Sequence, residues 1–196
     1  CHLSLTAMPR LDPIEEPRTL FDQLSYWMSK RQFGTVLTPL KVLYTRKPIL
    51  GGVAQILTWV LDRCLQIDDE LRFLLAVRIS QLNGCTFCQD LNRARAVQQR
   101  IGIERFRDLP DFRSSDRFTD REQAALAFVE EATENRRVSD ATFADLRVHF
   151  DETQIVELTW VNAVETYFNL LSSVLDIESD PSAPTAEGGG RDVEAA

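Results

Sequence analysis

The sequence predicts an all-α fold, a single helical domain with a loose C-terminus, on three observations. Apolar residues recur at spacings of three and four along most of the chain, the period of a helix face. Val, Ile and Thr rarely alternate with polar residues over strand length. Ser, Thr or Asp followed three residues later by Glu or Gln punctuates the last third, which is how helices begin. The 196 residues suit one good-sized domain. An apolar fraction of 44% with 27% charged residues is ordinary for a chain with a real core. Collagen-like, low-complexity and wholly disordered readings are excluded.

Residues 1–17 read as an N-terminal extension, the helical domain as 18–177, and 178–196 as a disordered tail. A first helix over 18–33 places Leu20, Phe21, Leu24, Trp27 and Met28 on one stripe. A second covers Val36 to Tyr44. The third runs from about Lys47 to Cys64, with Pro48 tolerated in its first turn. Gly51-Gly52 either weakens that helix or marks close packing. Asp68 and Asp69 suit the start of a fourth helix over about 69–82, which Asn83-Gly84 breaks. The fifth starts near Cys85 and ends around Arg100, with Gly102 as its stop. A short helical turn at Ile103 to Leu109 leads into a loop over 110–118.

Thr119-x-x-Glu122 forms a capping box ahead of Ala125, Leu126, Phe128 and Val129. Ser139 caps a helix to about His149, and Asp151-x-x-Gln154 opens a long helix over 152–175. From Glu178 the composition turns to Pro, Ser, Ala and three consecutive glycines. That segment carries five acids and one Arg, a solvated composition.

The formal net charge is −8, which argues against nucleic-acid binding, because phosphates call for a basic surface. The longest apolar run, Ile49 to Leu61, is short of the roughly 20 residues that span a bilayer, so no membrane partner is expected. The first twenty residues lack a basic region followed by an apolar one. With four cysteines in this length, a disulfide scaffold is not expected and a reducing, cytoplasmic compartment is.

Two of the cysteines stand in Asn83-Gly84-Cys85-Thr86-Phe87-Cys88. A glycine turn delivers them to a helix start. Cysteines at i and i+3 of a helix have Cα atoms roughly 5 Å apart, within reach of a disulfide. Unpaired N–H groups and partial positive charge at a helix N-terminus stabilise a thiolate, the species that attacks a peroxide or a disulfide. Three readings stay open: reversible dithiol–disulfide chemistry, inert buried thiols, and a zinc site. Zinc is the weakest, since Cys64 and His149 would have to complete the four ligands.

The stretch Arg78-Ile79-Ser80-Gln81-Leu82-Asn83-Gly84-Cys85-Thr86-Phe87-Cys88 resembles the signature of the AhpD-like, or carboxymuconolactone decarboxylase, superfamily. FTDREQAALAFVEEAT and RVSDATFADLRVHFDETQIVELTWVNAV follow in that family's helix order, so the resemblance covers about residues 68–177. It implies an all-α AhpD-like bundle, assembled as trimers or hexamers, with a dimer also conceivable. In redox members it implies peroxidase activity with no cofactor and no metal: Cys88 attacks a hydroperoxide, Cys85 condenses with the sulfenic acid, and a partner thiol protein reduces the disulfide. Decarboxylase members need no CxxC pair, so its presence points away from that branch. Redox members carry a histidine four residues after the second cysteine, where this chain has Asn92. They carry a glutamate twelve residues before the first, where it has Phe73. Asn92 can hydrogen-bond but cannot take a proton at neutral pH, so the usual proton relay is absent.

A substitute is sought on the long helix, where Asn162, Glu165 and Asn169 share one face. Glu165 is the candidate base, facing the cysteine helix with Asn169 orienting it, because a carboxylate among apolar neighbours has a raised pKa and can carry protons. The pattern alone favours the blander alternative, a solvated or subunit-interface stripe. Glu70 and His149 are weaker candidates, and each has an ordinary explanation at a helix end. Trp27, Trp59 and Trp160 read as core or subunit contacts. The function expected is a thiol-dependent peroxidase or disulfide oxidoreductase acting through Cys85 and Cys88. The alternatives are a non-catalytic helical oligomer and a decarboxylase-like enzyme acting on a small lactone.

Overall fold

Side-chain caps set most of the helix starts. Thr19, Thr119 and Asp151 each close a reciprocal box with the residue three further on, while Asp68 and Ser139 each accept one N–H of the first turn. Such a cap is worth about 1 kcal/mol. The computed structural model describes residues 8–102 and 104–178, and among these only helices, turns and irregular segments occur. The helices are α1 (Leu20–Phe33), α2 (Pro48–Arg63), α3 (Asp69–Leu82), α4 (Thr86–Gln98), α5 (Glu104–Arg107), α6 (Asp120–Asn135), α7 (Asp140–His149) and α8 (Glu152–Val174). A π-helical turn, Leu40–Tyr44, precedes α2, and a 3-10 turn, Leu109–Asp111, follows α5. None of the described helices is long and apolar enough to cross a membrane.

Helix α3 is the axis of the domain, packed by α4, α6 and α8 together. Its run Leu71, Phe73, Leu74, Leu75, Val77 and Ile79 is almost wholly buried. Apolar side chains buried on several faces are what a central position requires. Helix α8 brings Leu158, Val161 and Val164 to the same core. It also supplies polar ties. The Glu157 carboxylate accepts the Gln66 and Ile67 N–H groups at 2.8 and 3.0 Å, fixing the loop that enters α3. Asn162 Nδ2 donates to Thr133 Oγ1 and the Val129 carbonyl on α6.

Several boundaries differ from expectation. The helix expected over Val36–Tyr44 is condensed to the π turn, with Pro39 at its N-cap. Helix α4 stops at Gln98, and the left-handed residue beyond it is Arg100 rather than Gly102. The glycine pair in α2 divides: a Cβ on Gly51 would lie 3.1 Å from Tyr44 Cβ, whereas one on Gly52 meets nothing. Gly51 therefore marks close packing of α2 on the π turn, and Gly52 does not.

Residues ahead of α1, set apart above as an extension, are tied to the domain from Arg10 onward. Arg10 N–H donates to the Leu175 carbonyl, Ile14 N–H to that of Lys41, and Tyr26 Oη to that of Ile14. Of the expected tail, 178–196, all but Glu178 lies outside the described residues, as do residues 1–7. The stripe on α1 turns outward: Leu20, Leu24, Trp27 and Met28 are exposed, as are Ile49, Ile56 and Trp59 on α2. What α1 buries is Asp22, Tyr26 and Ser29.

Candidate active site

The turn Asn83-Gly84 ends α3, with Gly84 at φ +70, a conformation that glycine adopts without strain. Cys85 N–H then donates to the Ser80 carbonyl at 2.9 Å. This seats Cys85 as the N-cap of α4, its sulfur accepting the Cys88 N–H at 3.2 Å. Cys88 follows one turn later, within the positive end of the helix dipole. The two are joined as a disulfide with Cα atoms 5.3 Å apart. Together with Val42, Phe87 and Ile177 they form a small apolar cluster of their own, separate from the main core.

A pocket of about 420 Å³ opens over Cys88 between α1, the π turn, α2, α4 and α8. Cys88 lines it and Cys85 does not. Its walls are mostly apolar, among them Phe33, Leu40, Leu43, Phe87, Leu91 and Phe168, and Trp59 stands at the exposed margin. Among its polar lining are Asn92 and Arg95 from α4, Asp62 from α2 and Glu165 from α8.

Glu165 is only 5% exposed, and its Oε2 accepts Asn92 Nδ2 at 3.2 Å. Burial pushes its pKa up. Arg95, the Asn92 hydrogen bond and Arg72 pull it back, and Asp62 pushes it up again. The net direction is upward, so the carboxyl holds its proton to higher pH than a free one. Arg95 is pinned by Asp62, with Nη2 at 2.6 Å from both carboxylate oxygens. Beneath them Arg72, 1% exposed, reaches Asp62 at 3.5 Å and Asp69 at 3.1 Å. Its guanidinium lies 4.0 Å from the centre of the Phe73 ring. At Phe73, where the family resemblance leads to the expectation of a glutamate, an aromatic ring thus faces a buried arginine.

Cys85, Cys88, Asn92 and Glu165 are gathered at one place. The row through Glu165 is not a solvated stripe, since Asn162, Glu165 and Asn169 are all buried. Nor does Asn169 orient Glu165. It accepts Asn83 Nδ2 at 3.0 Å and donates to Ser80 Oγ at 3.2 Å, steadying the turn that delivers Cys85. Its distance along α8, one full turn beyond Glu165, puts it over the end of α3 instead. Glu70 pairs with Arg105 at 2.6 Å, and neither it nor His149, in the last turn of α7, lines the pocket. Sequence reasoning missed Asp62, Arg72 and Arg95. The available signal was Arg95, one turn beyond Asn92 on the same helix face.

The model of the carboxymuconolactone decarboxylase family matches residues 57–131. The chain is 29% identical over 153 residues to the uncharacterized protein YnjA of Escherichia coli, covering 77% of this chain and 84% of that one. A crystal structure of an uncharacterized peroxidase-related protein from Silicibacter superposes with a TM-score of 0.77 at 21% identity, over 93% of this chain and 94% of the other. The debrominase Bmp8 superposes with a TM-score of 0.75 at 19% identity, over 86% and 91%. Over residues 57–131 the chain is similar to the carboxymuconolactone decarboxylase family, and its fold is the all-helical one of these AhpD-like structures.

Proposed function

We propose that the protein is a thiol-dependent peroxidase that cycles Cys85 and Cys88 between dithiol and disulfide. The observation that carries this is the asymmetry of the pair: Cys88 faces the pocket, while Cys85 lies behind it as the helix cap. The outer sulfur suits attack on a substrate and the inner one suits resolution.

In the reduced protein Glu165 takes the Cys88 thiol proton. The thiolate attacks the terminal oxygen of a hydroperoxide, forming S–O and breaking O–O, and Glu165 returns the proton to the departing alkoxide. Cys85 then attacks the Cys88 sulfur, forming the disulfide and releasing water. Two thiols and one hydroperoxide give one disulfide, one alcohol and one water. A thiol protein of the disulfide-reductase type restores the dithiol. Asn92 carries no proton in this scheme; its hydrogen bond holds Oε2 of Glu165 toward α4.

A homo-oligomer is part of the same proposal. The exposed apolar rows of α1 and α2 are larger than the scattered contacts a monomer leaves to water, and a second copy of the chain covers them.

Trapping the intermediate tests the assignment of the two sulfurs. Cys85→Ser exposed to one equivalent of cumene hydroperoxide is expected to accumulate a dimedone-reactive sulfenic acid at residue 88. Cys88→Ser is expected to accumulate none. Equal trapping in both, or none in either, contradicts it.

A further inference from the structure

Glu165 sits at the meeting point of three helices, and charge reaches it from each. Arg95 approaches from α4, Arg72 from α3 and Asp62 from α2; Asp69 stands behind Arg72. Two features of this cluster are left over once the peroxidase chemistry is assigned. Arg72, almost completely buried, has an Nη1 with no hydrogen-bond partner among the described residues. An orphaned guanidinium nitrogen in the interior is costly. Arg95, although it lines the pocket beside Glu165, is held on Asp62 instead.

A proton carrier has two charge states, and a site must accommodate both. With Glu165 protonated, Asp62 and Asp69 balance Arg72 and Arg95. Once the proton has left, a bare, largely buried carboxylate is left with one amide hydrogen bond. Such a charge is tolerable only beside a countercharge. Arg95 lines the same pocket as Glu165, one turn beyond Asn92 on α4, and Asp62 ties Arg72 to Arg95.

We propose that Arg72 and Arg95 are positioning residues that receive the Glu165 carboxylate after it gives up its proton, and that Asp62 sets how much of their charge Glu165 feels. This rests on the peroxidase reading for its purpose but not for its test. Removing a positive neighbour makes Glu165 harder to ionise, and removing Asp62 makes it easier, whether or not any peroxide is reduced.

The test is the ionisation of Glu165 itself. Full-length reduced protein carrying 13C-labelled glutamate would be titrated by NMR, with Glu165→Gln assigning the resonance. Arg95→Gln and Asp62→Asn are the informative variants because both side chains are partly exposed, whereas replacing Arg72 risks the fold; Arg72→Lys serves only to check that a cation there suffices. A neighbouring charge moves a buried carboxyl by roughly 1 pH unit or more. The midpoint is expected to rise in Arg95→Gln, fall in Asp62→Asn, and stay near wild type in Arg72→Lys. Movement in the same direction in Arg95→Gln and Asp62→Asn, or none, overturns the proposal. If peroxide reduction is absent while the opposed shifts are present, it is the peroxidase reading that fails and the charge assignment that stands.

Discussion

Asn92 donates its amide hydrogen to Glu165 Oε2 at 3.2 Å, across the gap between α4 and α8. The hydrogen bond stabilises the ionised form of Glu165 and so works against burial. Asn92→Ala removes it without adding bulk. The carboxyl is then expected to hold its proton to still higher pH. Peroxide-driven oxidation of the dithiol should slow at neutral pH and recover as pH is raised toward the new midpoint. Stopped-flow tryptophan fluorescence over a pH series reads both effects, and an unchanged profile would show the amide to be a spectator.

Glu165→Gln separates chemistry from stability. A general acid–base residue contributes typically about 10²–10⁴-fold, so the oxidation step is expected to slow by at least about 100-fold. The stability effect has the opposite sense. Glu165 binds its proton more tightly folded than unfolded, so its cost to folding is absent below the ordinary carboxylate range. That cost grows as pH rises from there through the folded-state value, because only the unfolded chain ionises freely. At neutral pH the glutamine variant should therefore melt at a higher temperature than wild type, and below the carboxylate range the gain should vanish. A lower Tm at pH 7 would mean that the carboxylate is already well compensated.

The glycine pair of α2 makes a local prediction. Gly52→Ala adds a methyl where nothing lies within 4 Å, so it is expected to gain most of the roughly 0.5–1 kcal/mol that alanine offers over glycine in a helix. Gly51→Ala must push Tyr44 by a few tenths of an ångström and should gain less or lose. Urea denaturation of the two variants gives the comparison directly; an equal gain in both would deny the close packing of α2 on the π turn.

These cases show how unevenly the sequence speaks. Caps at Asp68, Thr119, Ser139 and Asp151 are short-range chemistry, which is why the starts of α3, α6, α7 and α8 are readable in advance. The Cys85–Cys88 spacing is equally local. Glu165 reaching Asn92 is a contact between residues 73 apart in sequence, yet the carboxylate inside an apolar run hinted at it. Nothing local hints that Asn169 serves the turn at Asn83 instead, or that Arg100 would take the left-handed position expected of Gly102. Beyond Arg95, one turn after Asn92, nothing local points to the Asp62–Arg95–Arg72 cluster, because three separate helices supply it and charged residues at helix ends ordinarily face water. The outward turn of the α1 stripe has a similar cause. Periodicity identifies an apolar face but not whether its partner is the same chain or another.

That face carries its own prediction. The account expects an oligomer by light scattering, and Leu24→Glu with Ile56→Glu should dissociate it while leaving the helical circular dichroism intact, since both side chains are exposed in the single chain. A wild-type monomer at micromolar concentration would contradict this.

The central claim is that peroxide oxidises Cys88 first and that Cys85 then closes the disulfide, with no histidine in the relay. Intact mass after alkylation, on reduced protein mixed with one equivalent of an organic hydroperoxide, tests it most directly. The account predicts loss of two alkylatable thiols within seconds, abolished by Cys88→Ser and strongly slowed by Glu165→Gln, with Cys64 remaining alkylatable throughout. Thiols at 85 and 88 that stay alkylatable for hours would contradict it.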